Sequence, residues 1–175
     1  MRSLRLQPSK LKGSLQTFNS VERISDWSQC RRRRYRLGRF WGNGPIACVI
    51  GLNPSTADDT TDDPTNRRLM SLLHDAGFSG YWLVNLIPES TPYPARLGSK
   101  SRRLSEKNAS VIRAAADSAE SIVLAWGAGA WRCPFRNTLI DLFDEPLCFG
   151  TTQAGEPKHP LYLPSKTALQ RFPRG

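Results

Sequence analysis

The chain has 175 residues, 39% of them hydrophobic, which is enough for one buried core in one domain and argues against wholesale disorder. Its 25 Lys and Arg against 15 Asp and Glu give a net charge of +10, which points to an anionic partner, nucleic acid first. No stretch approaches the ~18 apolar residues of a membrane span, and no apolar run follows Arg2 and Arg5, so we read neither a membrane segment nor a secretory signal and expect a cytoplasmic location.

Residues 1–22 are polar, basic and weakly periodic, and read as an N-terminal arm ahead of a single domain over 23–175. The run Arg31, Arg32, Arg33 and Arg34, followed by Arg36 and interleaved with Tyr35, Phe40 and Trp41, suits phosphate contacts and base stacking. Lys100, Arg102 and Arg103 form a second basic cluster. A solvated basic face is the plainer alternative for both.

Ile46–Ile50 is a continuous apolar run, as expected for a parallel strand buried on both faces. A loop rich in Asp and Thr follows, from Leu52 to Pro64. Asp63 as N-cap and Pro64 at the first helical position open a helix, with Leu69, Leu72, Leu73 and Ala76 on one side and Gly77 at its end. Tyr81–Val84 is a second strand ending at Asn85, and an irregular stretch follows from Pro88 to Gly98. A helix is expected from Ser105 to about Asp117. Ser121–Ala125 is a third strand, ending at Trp126-Gly127. Helical sequence interrupted by Pro134 reaches Phe143, Leu147–Phe149 is a fourth strand, and a short helix is expected near Lys166 to Arg171.

This alternation predicts an α/β fold, a three-layer α/β/α sandwich around a central, mostly parallel four-stranded sheet. The cysteines, Cys30, Cys48, Cys133 and Cys148, form no C-x-x-C pair and read as reduced thiols.

Two motifs stand at strand ends far apart in the chain: Gly51-Leu52-Asn53-Pro54-Ser55-Thr56 and His159-Pro160-Leu161-Tyr162-Leu163. In each a polar side chain precedes a proline, which restrains the backbone on both sides of the bond. Asn85 and Trp126 end two further strands. Ligands of such sheets bind beyond the carboxyl ends of the strands, so the four ends predict one crevice.

These residues resemble the uracil-DNA glycosylase superfamily. Gly51-Leu52-Asn53-Pro54 is close to the Gly-Ile-Asn-Pro of its mismatch-specific and thymine-directed branches, and His159-Pro160-Leu161-Tyr162-Leu163 is similar to the uracil branch's His-Pro-Ser-Pro-Leu. Leu83-Val84-Asn85 and Leu124-Ala125-Trp126-Gly127 resemble two other strand ends of that branch, in the same order. More closely, the strings Leu52–Asp58 and His159–Leu163 look like those of a small bacterial and phage family. The resemblance implies a monofunctional DNA glycosylase acting on a flipped-out base, a modified pyrimidine first, in repair or in defence against modified phage DNA. It implies that Asn53 positions the attacking water, that His159 donates to the departing base, and that Asn85, with Leu52 and Trp126, holds the base. Pro54, Ser55, Thr56, Lys158, Pro160, Leu161 and Tyr162 would join the arginines in contacting duplex or single-stranded DNA, with Leu161 or Tyr162 able to wedge into the stack. No cofactor or metal is implied, a monomer is expected, and no lysine lies in the four motifs to form a Schiff base.

One departure matters. The fastest members carry Asp where Asn53 stands, and an amide orients water but takes no proton; Asp58 or Asp59 is the alternative general base. Blander readings accompany each residue: Asn53 as a turn former, Asn85 as a loop cap, His159 as a surface histidine, Trp126 as pocket wall, and His74 as structural. Two other functions stay open. One is a non-catalytic binder of modified or single-stranded nucleic acid. The other is a metal-dependent nuclease using Asp58, Asp59, Asp62 and Asp63, although their spacing is not that of an EF-hand.

Overall fold

The computed structural model describes residues 20–93, 95, 97–98 and 103–174. The arm up to residue 19, and Lys100 and Arg102 of the second basic cluster, lie outside the described residues.

Among the described residues, seven strands form one sheet. In chain order they are β1 (Glu22–Trp27), β2 (Arg34–Phe40), β3 (Ile46–Gly51), β4 (Gly80–Asn85), β5 (Ser121–Leu124), β6 (Leu147–Cys148) and β7 (Gln170–Arg171), and their spatial order is β1-β2-β4-β3-β5-β6-β7. The central strands β4, β3, β5 and β6 run parallel. These are the strands expected from the apolar runs, so the predicted parallel centre is present, but the sheet does not stop there. An antiparallel hairpin, β1 and β2, extends one edge, and β7 pairs antiparallel with β6 at the other.

Among the described residues three α-helices accompany the sheet: α1 (Pro64–Asp75), α2 (Glu106–Asp117) and α3 (Arg136–Ile140). The caps fall where the sequence puts them. Asp63 accepts from the Asn66 backbone N–H, and Ser105 accepts from that of Asn108. Alternation along the strands divides the core into two. Ala47, Val49, Tyr81, Leu83 and Val123 meet Leu69, Leu72 and Leu73 of α1, whereas Cys48, Ile50, Val84 and Leu124 meet Ile112 and Ala115 of α2 and Leu139 of α3. Helices therefore cover both faces. None of the described helices is long and apolar enough to cross a membrane.

Two expected helices take another form. The stretch after Gly127 is a 3₁₀ turn, Ala128–Arg132, and then the short α3, because Pro134 lacks the N–H that a continuous helix needs. The segment near Lys166 to Arg171 is not a helix. Its end is β7, with Gln170 opposite Cys148 and Leu169 packed on the α1 side of the core. Pairing with β6 takes up the backbone groups of Gln170 and Arg171 that a helix would have used.

Candidate functional site

The chain runs from β3 through α1 to β4 on one side, and then through α2 to β5 on the other side of β3. Such a reversal opens a crevice at the carboxyl ends of the strands. A cavity of about 290 Å³ lies there, near the lower end of the roughly 300–1,000 Å³ of small-molecule sites. Asn53, Asn85, Trp126 and His159 all line it, so the four motif-bearing strand ends meet in one place. Two larger hollows, of about 640 and 680 Å³, are lined by none of these four residues.

Asn53 is held by its own amide. Its Nδ2 donates to the carbonyls of Pro54 at 2.9 Å and Thr91 at 2.8 Å. Thr91 N–H in turn donates to the Pro54 carbonyl, and Ser90 Oγ to that of Ser55, which pins the loop after β3 to the segment after β4.

Asn85 is 2% exposed, and its Nδ2 has no hydrogen-bond partner. Leaving a buried donor unpaired costs ~1–3 kcal/mol, which an acceptor placed in the cavity would offset. Its backbone carbonyl accepts from Asn108 Nδ2. Its Oδ1 sits so close to Gly51 that a Cβ there would lie 2.8 Å away. Gly51 thus makes room for the Asn85 amide at the cavity wall.

His159 precedes a 3₁₀ turn over Pro160–Tyr162, and its Nδ1 accepts from the Leu161 backbone N–H at 3.3 Å. Burial holds the imidazole below its ordinary value, partly offset by the Asp63 charge, so the neutral form prevails near pH 7. With Nδ1 accepting, the proton of the neutral ring is on Nε2, which is left as a donor. Gly127 permits this placement. Its φ is +74°, and a Cβ there would meet His159 Cβ at 3.0 Å. Trp126 is wall rather than chemistry: it is buried, and its Nε1 donates to Glu156 Oε2 at 2.7 Å while Arg136 holds the other Glu156 oxygen. Leu52 also lines the cavity.

At the mouth, Tyr162 is 82% exposed and tilts over His159 with ring centroids 5.7 Å apart; Leu161 beside it is exposed too. Lys158 and Thr56 are exposed, Ser55 is half-buried, and Pro54 and Pro160 are buried.

The arginine run divides. Arg31 stacks on Trp27 at 5.0 Å, Arg32 is exposed, and Arg33 pairs with Glu89 at 3.0 Å. Ser90 N–H donates to the Arg32 carbonyl, so this basic turn abuts the segment that delivers Thr91 to the cavity. Arg36 pairs with Asp26 and lies over the Trp82 ring at 4.5 Å.

Arg34 does something else. It is 1% exposed, lines the cavity, and donates through one terminal nitrogen to the Ala57 carbonyl at 2.6 Å, while its Nε has no partner. Burial lowers its pKa to about 10, opposed by the Asp63 charge. The pairing of β1 with β2 slips between Asp26 and Trp27, opposite Arg36 and Arg34. Strict alternation would put Arg34 on the side of Arg36; the bulge turns it to the α1 side instead, as bulges near functional sites do.

Asp63 also lines the cavity, 7% exposed. From sequence Asp63 reads as a helix cap and as one of the four carboxylates of the nuclease alternative, not as part of this crevice. The alternative bases lie elsewhere: neither Asp58 nor Asp59 lines the cavity. Hydrogen bonds from Thr60 and Thr61 hold the Asp58 carboxyl below its usual range. Asp62 serves Arg39 and Arg23. Among the described residues, no three His, Cys, Asp or Glu side chains converge as a metal site, and none of the four cysteines forms a disulfide.

Fold and cavity together define an α/β protein with a small, polar-lined site at the carboxyl ends of parallel strands. Residues 34–161 match the family model described as "Protein of unknown function (DUF1643)", and the chain belongs to that family. No curated protein and no solved structure matches it.

Proposed function

We propose that the cavity receives a nucleobase flipped out of DNA and that the protein hydrolyses its N-glycosidic bond, as the resemblance to the uracil-DNA glycosylase superfamily implies. The observation that carries the reading is the meeting of Asn53, Asn85 and His159 around one cavity sized for a single ring system.

The chemistry suits these groups. Glycosidic cleavage passes through an oxocarbenium-like state and leaves negative charge on the departing base. Three donors flank the place where that charge would develop: His159 Nε2–H, the unpartnered Asn85 Nδ2, and the Arg34 guanidinium. Donors fixed before reaction, in a site from which water is excluded, stabilise such charge without reorganising. Asn53, with Nδ2 committed to two carbonyls, offers Oδ1 to orient a water. A base with acceptor oxygens matches Asn85 and Arg34, which supports a modified pyrimidine. Tyr162 and Leu161 at the mouth would fill the gap that flipping leaves.

The engagement of Asp58 and Asp62 by the chain's own donors gives the nuclease reading no support. The test is incubation, in chelator, with DNA carrying uracil, hypoxanthine, 5-hydroxymethyluracil or 5-hydroxymethylcytosine, scoring alkali-labile sites. Sites that form with wild type and vanish in His159→Ala support the reading. Tight DNA binding with no sites on any substrate moves the assignment to a non-catalytic binder.

A further inference from the structure

Hydrolysis needs a proton acceptor for the attacking water, and Asn53 is not one: an amide does not take a proton, and its Nδ2 is occupied by Pro54 and Thr91. We propose that Asp63 is that acceptor, an inference that rests on the glycosylase reading. Among the described residues, Asp63 is the one acidic residue lining the cavity.

Its two oxygens differ. Oδ1 accepts from both the backbone N–H and Nδ2 of Asn66, each at 2.9 Å. Asn66 is itself fixed, because Tyr81 Oη donates to its Oδ1 at 2.8 Å. Both Asn66 and Tyr81 are buried. No donor among the described residues reaches Oδ2. An N-cap needs only one side-chain bond to an N–H of the first turn. Here a buried Tyr81–Asn66 relay adds a second bond to the same oxygen, which immobilises the carboxylate and leaves the other oxygen available. The charged and titratable groups that face Asp63 are Arg34 from β2, Tyr81 from β4 and His159 from the loop before its 3₁₀ turn.

The step balances. The water oxygen bonds to C1′ of the sugar as the C1′–N bond breaks, its electron pair leaving with the base. Asp63 Oδ2 takes one water proton while His159 Nε2–H hydrogen-bonds to the base oxygen and stabilises its negative charge; the proton on Asp63 then passes through solvent to the base anion, which restores the carboxylate. The products are the free base and an abasic sugar carrying the new hydroxyl.

Asp63→Asn is the discriminating variant, because Asn caps helices as well as Asp and keeps an oxygen for Asn66 while losing basicity. Base release under single-turnover conditions falls by ~10²–10⁴-fold, while the melting temperature stays with wild type. Asp63→Ser, also a good cap, shows the same loss. A wild-type rate in Asp63→Asn, with active wild type, overturns this inference and leaves the glycosylase reading standing. No base release from wild type on any substrate overturns both.

Discussion

Asn85 and His159 show how a site residue departs from what folding alone would choose. The Asn85 amide has an unpaired buried donor, so replacing it by an apolar side chain of the same shape relieves a cost. Asn85→Leu is expected to be as stable as wild type or more so, by up to ~2 kcal/mol, with base release abolished; thermal melting and the release assay check the two halves. His159 carries a pH signature. Its folded pKa is depressed by burial, so the unfolded chain binds the proton more readily. The stability it contributes is complete above about 6.5, the ordinary imidazole value, and is lost as pH falls below that towards the folded value. Denaturant titrations between pH 5 and 7 should show wild type losing stability towards acid more steeply than His159→Gln; equal slopes contradict the neutral imidazole.

Asn53, Asn85 and His159 were legible because each ends a readable strand or precedes a proline. Arg34 and Asp63 were not. Arg34 sits in a run of like residues that composition reads as surface, and only a bulge three-dimensionally removes it from that run. Asp63 has an obvious helix-capping role, and nothing in one sequence shows that it also lines a cavity.

At the scale of elements, the parallel strands, α1 and α2 could be read from apolar runs and caps. The β1–β2 hairpin could not. Arginines at Arg34, Arg36 and Arg39 break the apolar pattern, yet β2 is a covered strand, with Arg39 buried against Asp62 and Arg36 over Trp82. The buried arginines also clamp the loop after β3, through bonds to the Ala57 and Asp58 carbonyls. The junction of β5 with the His159 loop is equally specific. Gly127 N–H donates to the Pro157 carbonyl at 2.9 Å, and the His159 Cβ closes over Gly127. Gly127→Ala meets both a positive φ and a close contact, and should cost ~1–3 kcal/mol in stability. It should also lower base release by more than that loss explains at temperatures where the variant is fully folded, because His159 moves. Unchanged kcat in folded Gly127→Ala would separate this junction from the site.

For the whole molecule, the +10 charge and the basic turn at Arg31–Arg33 bear on partner choice. That turn abuts the cavity rim, so a phosphate backbone crossing it would bring a flipped base to the mouth beside Leu161 and Tyr162. Binding to DNA should then weaken linearly in log K against log salt, with a slope of ~0.9 per phosphate contacted and a loss of at least ~10-fold between 50 and 200 mM salt. Charge reversal at Arg31 and Arg32 should flatten the slope; salt-independent binding would contradict a phosphate interface. The division of labour is legible at this scale as well: α/β alternation foretold a crevice at the strand ends, while the antiparallel edges depend on long-range pairing that local pattern does not encode.

The most direct test is chromatographic detection of free base released from modified DNA by wild type and by His159→Gln, in chelator and with enzyme in excess. The account predicts stoichiometric release by wild type and a rate ~10²–10³-fold lower in a His159→Gln protein that still binds DNA. Release at the same rate by both would remove His159 from the chemistry, and release by neither, from any base offered, would contradict the glycosylase assignment.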